Sequence, residues 1–189
     1  MRVIQIDGGL CLRALAPGDA RAIFEAIDVN RAHLGRWLPF VAATTGVEFT
    51  EGYVRSVTEP PGCETNQVFA IEYGGAFAGL IGLKDVDWDN GKAELGYWLC
   101  ERFEGRGLVT RAAACLIERA FTGLGLNRVQ LRCAVGNAKS RAVALRLGFT
   151  FEGIERDAER FDDGRFVDAE VFSLLRREWG EEGTSSLSR

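Results

Sequence analysis

The chain has 189 residues, 47% of them hydrophobic and 26% charged, with a formal net charge of −4. That length holds one sizeable core and does not require two domains, and the mild acidity lacks the basic stripe of a nucleic-acid binder. No apolar run approaches the roughly 20 residues of a membrane-spanning helix, and Met1–Asp7 is too short and mixed for a signal peptide, so a cytoplasmic protein with no membrane partner is expected.

In chain order, a short strand is predicted near Leu10–Leu15, followed by a helix that opens after Pro17-Gly18-Asp19 and carries Ala22, Ile23, Ala26 and Ile27. A second helical stretch is predicted around His33–Leu38, and a third from about Thr50 to Val57, with Thr50 as its cap and Pro60-Pro61-Gly62 as its end. Three strand-like runs come next, Gln67–Tyr73, Ala76–Val86 and Ala93–Leu99, divided by the hairpin turns Gly74-Gly75 and Asp89-Asn90-Gly91.

Val109, Ala112, Ala113, Leu116, Ile117, Ala120 and Phe121 fall at helical spacing and predict a core-packed helix. Val129, Leu131, Cys133 and Val135 then alternate with more polar neighbours, as in a strand, before a shorter helix from about Lys139 to Leu147 that Gly148 ends. Two more strands, near Phe151–Asp157 and Phe166–Leu175, flank the turn at Asp163-Gly164. The whole reads as one α/β domain over residues 1–179, a mixed and mostly antiparallel sheet of about seven strands with about four helices, and a disordered tail over 180–189.

Five dispersed cysteines with no C-x-x-C pair, and a lone histidine, His33, give no zinc pattern, and no metal is expected. Between Glu152 and Glu170 eight acids face three arginines, a local net of −5. This run is either a patch that attracts a cationic substrate or a solvated hairpin.

The turn Glu104-Gly105-Arg106-Gly107-Leu108-Val109-Thr110 opens the strongest helix. Free N–H groups at a helix N-terminus form an anion site, glycines admit close backbone approach, and Thr110 adds a hydroxyl; a plain tight connection is the other reading. No G-x-x-x-x-G-K-[ST] is present, and the preceding strand belongs to a hairpin, which disfavours nucleotide folds.

Glu94-Leu95-Gly96-Tyr97-Trp98-Leu99, the glycine turn, Asn137-Ala138-Lys139-Ser140 and Leu147-Gly148-Phe149, in this order, resemble the GNAT superfamily of N-acetyltransferases, and among it the RimJ/RimL type. The resemblance extends to Leu34–Leu38 and Ser173–Trp179. It implies acetyl-CoA as cosubstrate and direct transfer to a primary amine, above all the N-terminal amine of a ribosomal protein. Other acceptors left open are a polyamine, an aminoglycoside or an amino acid, and homodimers occur in such families.

By the same resemblance, N–H groups across Glu104, Gly105, Arg106, Gly107, Leu108, Val109 and Thr110 hold the CoA pyrophosphate. The strand carrying Tyr97, Trp98 and Leu99 pairs with the pantetheine arm, with Asn137 beside it, and its N–H groups polarise the thioester carbonyl. Many relatives place a tyrosine acid where this chain has Ala144. Ser140 is the substitute near the sulfur and Glu159 the matching carboxylate, with water, Glu94 or Glu152 as other bases. Arg36, Trp37 and Phe40 are candidates for the acceptor groove, although Trp37 also suits core packing. The missing helix tyrosine equally fits a CoA-binding sensor that transfers nothing.

Overall fold

The computed structural model describes residues 3–182. Eight strands form a single sheet in the order β1-β2-β3-β4-β5-β6-β8-β7, with β1 Val3–Asp7, β2 Leu10–Ala14, β3 Gln67–Tyr73, β4 Ala76–Asp87, β5 Lys92–Leu99, β6 Arg128–Ala134, β7 Thr150–Arg160 and β8 Phe166–Leu175. The helices among the described residues are α1 Ala20–Val29, α2 Arg31–Leu34, α3 Phe40–Ala43, α4 Val47–Thr58, α5 Gly62–Thr65, α6 Leu108–Glu118, α7 Ala138–Arg146 and α8 Arg176–Glu182. The seven predicted strands are all present. The eighth is β1, an edge strand with alternating exposed and half-exposed residues, too polar to signal itself.

β1 through β5 pair antiparallel in chain order, as hairpins except between β2 and β3, where helices α1–α5 intervene. The step from β5 to β6 is the one parallel pairing among the described residues, and a parallel neighbour requires a crossover. Helix α6 supplies it, extended by a π-type turn over Arg119–Gly123. Its buried face, Ala112, Ala113, Leu116 and Ile117, joins Ile81, Leu95, Val129, Leu131 and Phe172 in one continuous core. Strand β8 then lies antiparallel between β6 and β7, so α7 crosses from β6 to the sheet edge.

Three expectations are corrected. Thr50 is not a cap: α4 begins at Val47 after Gly46. The Thr50 hydroxyl is buried and donates to the Ala20 carbonyl at 2.8 Å and the Val47 carbonyl at 2.7 Å, which ties α4 to the start of α1. Short helices α3 and α5, too brief for a periodic pattern, add to the predicted set. The predicted tail is helical over its first three residues, because α8 runs through Gly180 to Glu182, while 183–189 lie outside the described residues.

The acidic run of 152–170 is not an open patch. Glu152 takes the Arg128 guanidinium at 2.7 Å and the Ser173 hydroxyl at 2.7 Å, Glu155 pairs with Arg132, Glu170 with Arg141 and Asp163 with Arg165. The Arg128 hydrogen bond, aided by Ser173, holds the Glu152 carboxyl at about 2, below its ordinary 4.5. A depressed carboxyl stabilises the fold above its unfolded pKa and loses that contribution as pH falls toward its folded value. The difference in melting temperature between wild type and Glu152→Gln is therefore expected to be fullest above pH 4.5 and to close toward pH 2. A difference that stays constant over that range in a thermal melting series would refute the pairing as its source.

Candidate active site

Strands β5 and β6 stay together for three residue pairs, Lys92 with Arg128, Ala93 with Val129 and Glu94 with Gln130, and then part. Beyond Glu94, β5 remains bonded to β4 on its other side, so the edge of Leu95–Leu99 that faces β6 is left unpaired in the middle of the sheet. A row of unpaired N–H and C=O groups is a template for an extended ligand. The gap opens into a cleft of about 1880 Å³, lined by this edge, the turn into α6, one face of α7 and the α2–α4 segment.

At one mouth lies the glycine turn. Gly105 and Gly107 have φ of +73° and +68°, the left-handed region that favours glycine, and a Cβ on either would meet nothing within 4 Å. Open space in front of two glycines at the start of an eleven-residue helix is the geometry of an anion cradle. Glu104, Gly105, Gly107, Leu108, Val109 and Thr110 line the cleft. Arg106 does not: its side chain lies over the Tyr73 ring, 5.9 Å from the centroid. Glu104 is clamped by His33 at 3.2 Å on one side and by Lys139 on the other, joining α2 and α7 across the turn. The Arg146 guanidinium donates to the Thr110 hydroxyl at 3.3 Å, placing another cation beside the cradle.

On the α7 side, Asn137 caps the helix by accepting the Ser140 N–H at 3.2 Å, which fixes the first turn and with it the Ser140 side chain. The Ser140 hydroxyl meets the Tyr97 phenol at 2.8 Å. Burial pushes the Tyr97 phenol up to about 12 and also raises the Cys133 thiol. Both groups therefore stay protonated at neutral pH.

Side chains alternate along a strand, so Glu94 and Arg132 point to the opposite face of the sheet from Tyr97 and Cys133. There Glu94 accepts from Lys84 at 2.8 Å and from Arg132 at 3.0 Å, and Arg132 reaches Glu155 at 2.9 Å. Glu159 stands 3.7 Å from the Arg132 guanidinium, close enough for attraction and too far for a good hydrogen bond. The wall beyond is aromatic: Trp37, Phe40, Phe49, Tyr53 and Phe161.

Of the acceptor candidates, Trp37 and Phe40 line the cleft and Arg36 does not; it is exposed away from it. Glu152, an alternative base, is spent on Arg128 and Ser173 and is likewise absent from the lining. Nothing in the local pattern singles out the Tyr97 side chain, Arg132 or Phe161. Alternation within the Glu94–Leu99 strand would have put Tyr97 on the helix side, whereas the approach of Phe161 depends on how the β7–β8 hairpin folds back.

A strand edge held open beside a glycine-built anion site defines the class of transferases that draw an acyl group from coenzyme A. The chain belongs to the family described as the acetyltransferase (GNAT) domain, which matches residues 9–150. It is an acetyl-CoA-dependent N-acetyltransferase. It is 39% identical over 184 residues to the putative ribosomal N-acetyltransferase YdaF of Bacillus subtilis (strain 168), covering 95% of this chain and 98% of that protein. It is 29% identical to a spermidine N(1)-acetyltransferase of Escherichia coli (strain K12), over 89% of this chain and 87% of that one. The solved structure of RimL, a ribosomal alpha-N-protein acetyltransferase, in complex with coenzyme A superposes with a TM-score of 0.86 at 25% identity, over 92% of this chain and 98% of that chain.

Proposed function

We propose that this enzyme acetylates the N-terminal amine of a protein, and most specifically a ribosomal one, by direct transfer from acetyl-CoA. The observation that carries the choice of acceptor is the state of the carboxylates in the cleft. Asp7 is paired with Arg111, Glu94 with Lys84 and Arg132, Glu104 with His33 and Lys139, and Glu159 leans on Arg132, while Glu178 accepts the Leu175 N–H. A polyamine carries several charges that need uncommitted carboxylates. A peptide N-terminus carries one, on a body that suits an aromatic wall.

Protonation points the same way. An α-amine titrates near 8, against about 10.4 for an alkyl ammonium, so a far larger share is neutral and nucleophilic at pH 7. A modest base is then sufficient. Glu159 fits that role better than Glu94, which two cations already hold, because its ion pair is long and its side chain half exposed.

In this reading the N–H groups of Gly105–Thr110 hold the pyrophosphate, with Arg146 beside them, and the free edge of Gly96–Leu99 pairs with pantetheine, Asn137 flanking it. Trp37 and Phe40 contact the acceptor. The amine attacks the thioester carbonyl, forming C–N as C–S breaks; its proton leaves through Glu159 or a water held there. The Ser140 hydroxyl donates a hydrogen bond to the sulfur as charge grows on it.

The test is free-thiol release from acetyl-CoA with peptides copying ribosomal-protein N-termini, beside spermidine and kanamycin. The peptides are expected to lead in kcat/KM by at least about tenfold, a difference of about 1.4 kcal/mol in transition-state binding. Preference for spermidine would overturn the acceptor assignment, and tight acetyl-CoA binding with no acetylation of any amine would establish a sensor instead.

A further inference from the structure

The hydroxyl that meets the departing sulfur must present its proton, and a serine hydroxyl can spend that proton instead on a nearby backbone carbonyl or another hydroxyl. Resting on the assignment of Ser140 to the sulfur, we propose that the Tyr97 side chain is a positioning residue for this step: its phenol donates to the Ser140 hydroxyl oxygen and so frees the Ser140 proton for the thiolate.

The geometry is specific. Tyr97 belongs to β5, the strand whose free edge borders the cleft, and its side chain leaves the sheet toward α7. The phenol oxygen stands 2.8 Å from the Ser140 Oγ and a longer 3.5 Å from the Ser140 carbonyl, so the hydroxyl is its principal acceptor. Burial keeps the phenol in its protonated, donating form across the working range. A hydroxyl that accepts one hydrogen bond donates a stronger one onward, since linked hydrogen bonds polarise each other. Tyr97 thus stands in for the tyrosine that the helix lacks at Ala144, acting from the strand and through Ser140, and it loses no proton in the cycle.

The test uses CoA itself, so it needs no knowledge of the acceptor. The ionisation of the bound CoA thiol is followed by thiolate ultraviolet absorbance, as the difference between CoA-bound and free protein, in wild type, Tyr97→Phe, Ser140→Ala and the double variant. A hydrogen bond to the thiolate lowers the thiol pKa, and its loss raises it. The apparent pKa is expected to rise by about one pH unit in each single variant, and by no more in the double one. Circular dichroism and melting temperature identify any unfolding, and Tyr97→Phe keeps the ring that packs there. A thiol pKa unchanged in Tyr97→Phe but raised in Ser140→Ala would overturn the role of Tyr97 and leave Ser140 at the sulfur. Additive rises would overturn it too, by showing that the phenol acts on sulfur directly. If Ser140→Ala changes nothing, or wild type does not bind CoA, the assignment of Ser140 fails first and the inference with it.

Discussion

Gly107→Val is expected to raise the KM for acetyl-CoA about 100-fold while leaving kcat at saturation within a few-fold of wild type. Gly107 is the residue before α6, at φ +68°, where an L side chain costs about 1–2 kcal/mol and a β-branched one more. Part of that strain would be relieved by turning the first N–H groups of α6 away from their common focus. The space in front of the glycine is empty, so the new side chain would also stand where a phosphate must approach. Hydrogen bonds to a charged group contribute about 1.5–3 kcal/mol each, and a combined loss near 3 kcal/mol is about 100-fold in affinity. Initial-rate kinetics, with calorimetric titration of CoA as a direct measure of binding, would show it. An unchanged KM would remove this turn from the pyrophosphate site.

The second large effect concerns the sheet. Gly79→Val is expected to destabilise the protein by about 3–5 kcal/mol, which for a chain of this size lowers the melting temperature by roughly 10–15 °C. A Cβ at Gly79 would lie 2.1 Å from the Trp98 carbonyl oxygen and 2.9 Å from the Leu99 Cα, both backbone atoms of the paired strand β5. Neither can yield without parting β4 from β5. Because the other edge of those same β5 residues borders the cleft, the displacement is also expected to lower kcat at temperatures where the variant is folded. Gly18→Ala is the control: its Cβ would touch nothing within 4 Å, and it should melt as wild type does. A Gly79→Val protein that melts with wild type would contradict the strand packing described here.

How far the sequence carried the fold depended on the length of each signal. Strands β3 and β8 were legible to the residue, because seven and ten residues of alternating or apolar pattern are each set off by a strong turn, Gly74-Gly75 after β3 and Asp163-Gly164 before β8. Helix α6 was equally plain from its continuous apolar face. Five-residue β1 and four-residue α3 carry too few positions for a period to emerge, and tertiary contacts decide them. Thr50 read as a cap because threonine is common there; its actual partner, the Ala20 carbonyl, lies 30 residues away and is invisible to local pattern.

The site divides along the same line. The glycine turn and the Asn137 cap are matters of local backbone geometry and could be proposed from the sequence. Side-chain contacts between elements could not: the Tyr97 phenol meets Ser140 from 43 positions away, and Arg132 gathers Glu94, Glu155 and Glu159 from two other strands. The acidic run was legible as charge and misleading as surface, because the arginines that neutralise Glu152, Glu155 and Glu170 come from Arg128, Arg132 and Arg141, outside the run itself.

The unpaired edge of β5 has a bearing on how such enzymes diverge. The proposed grip on the donor is made of main-chain groups, which nearly every amino acid supplies alike, so substitutions can accumulate around it without loss of acetyl-CoA. The proposed acceptor end of the cleft instead presents side chains, Trp37, Phe40, Phe49, Tyr53 and Phe161 on one wall and Arg132 with its carboxylates on the floor. A few exchanges there, chiefly ones that release a carboxylate from its arginine, would redirect the enzyme from the proposed peptide acceptor to a polycation. Ancestry among these chains is therefore a reliable guide to the acyl donor and a poor one to the molecule acetylated.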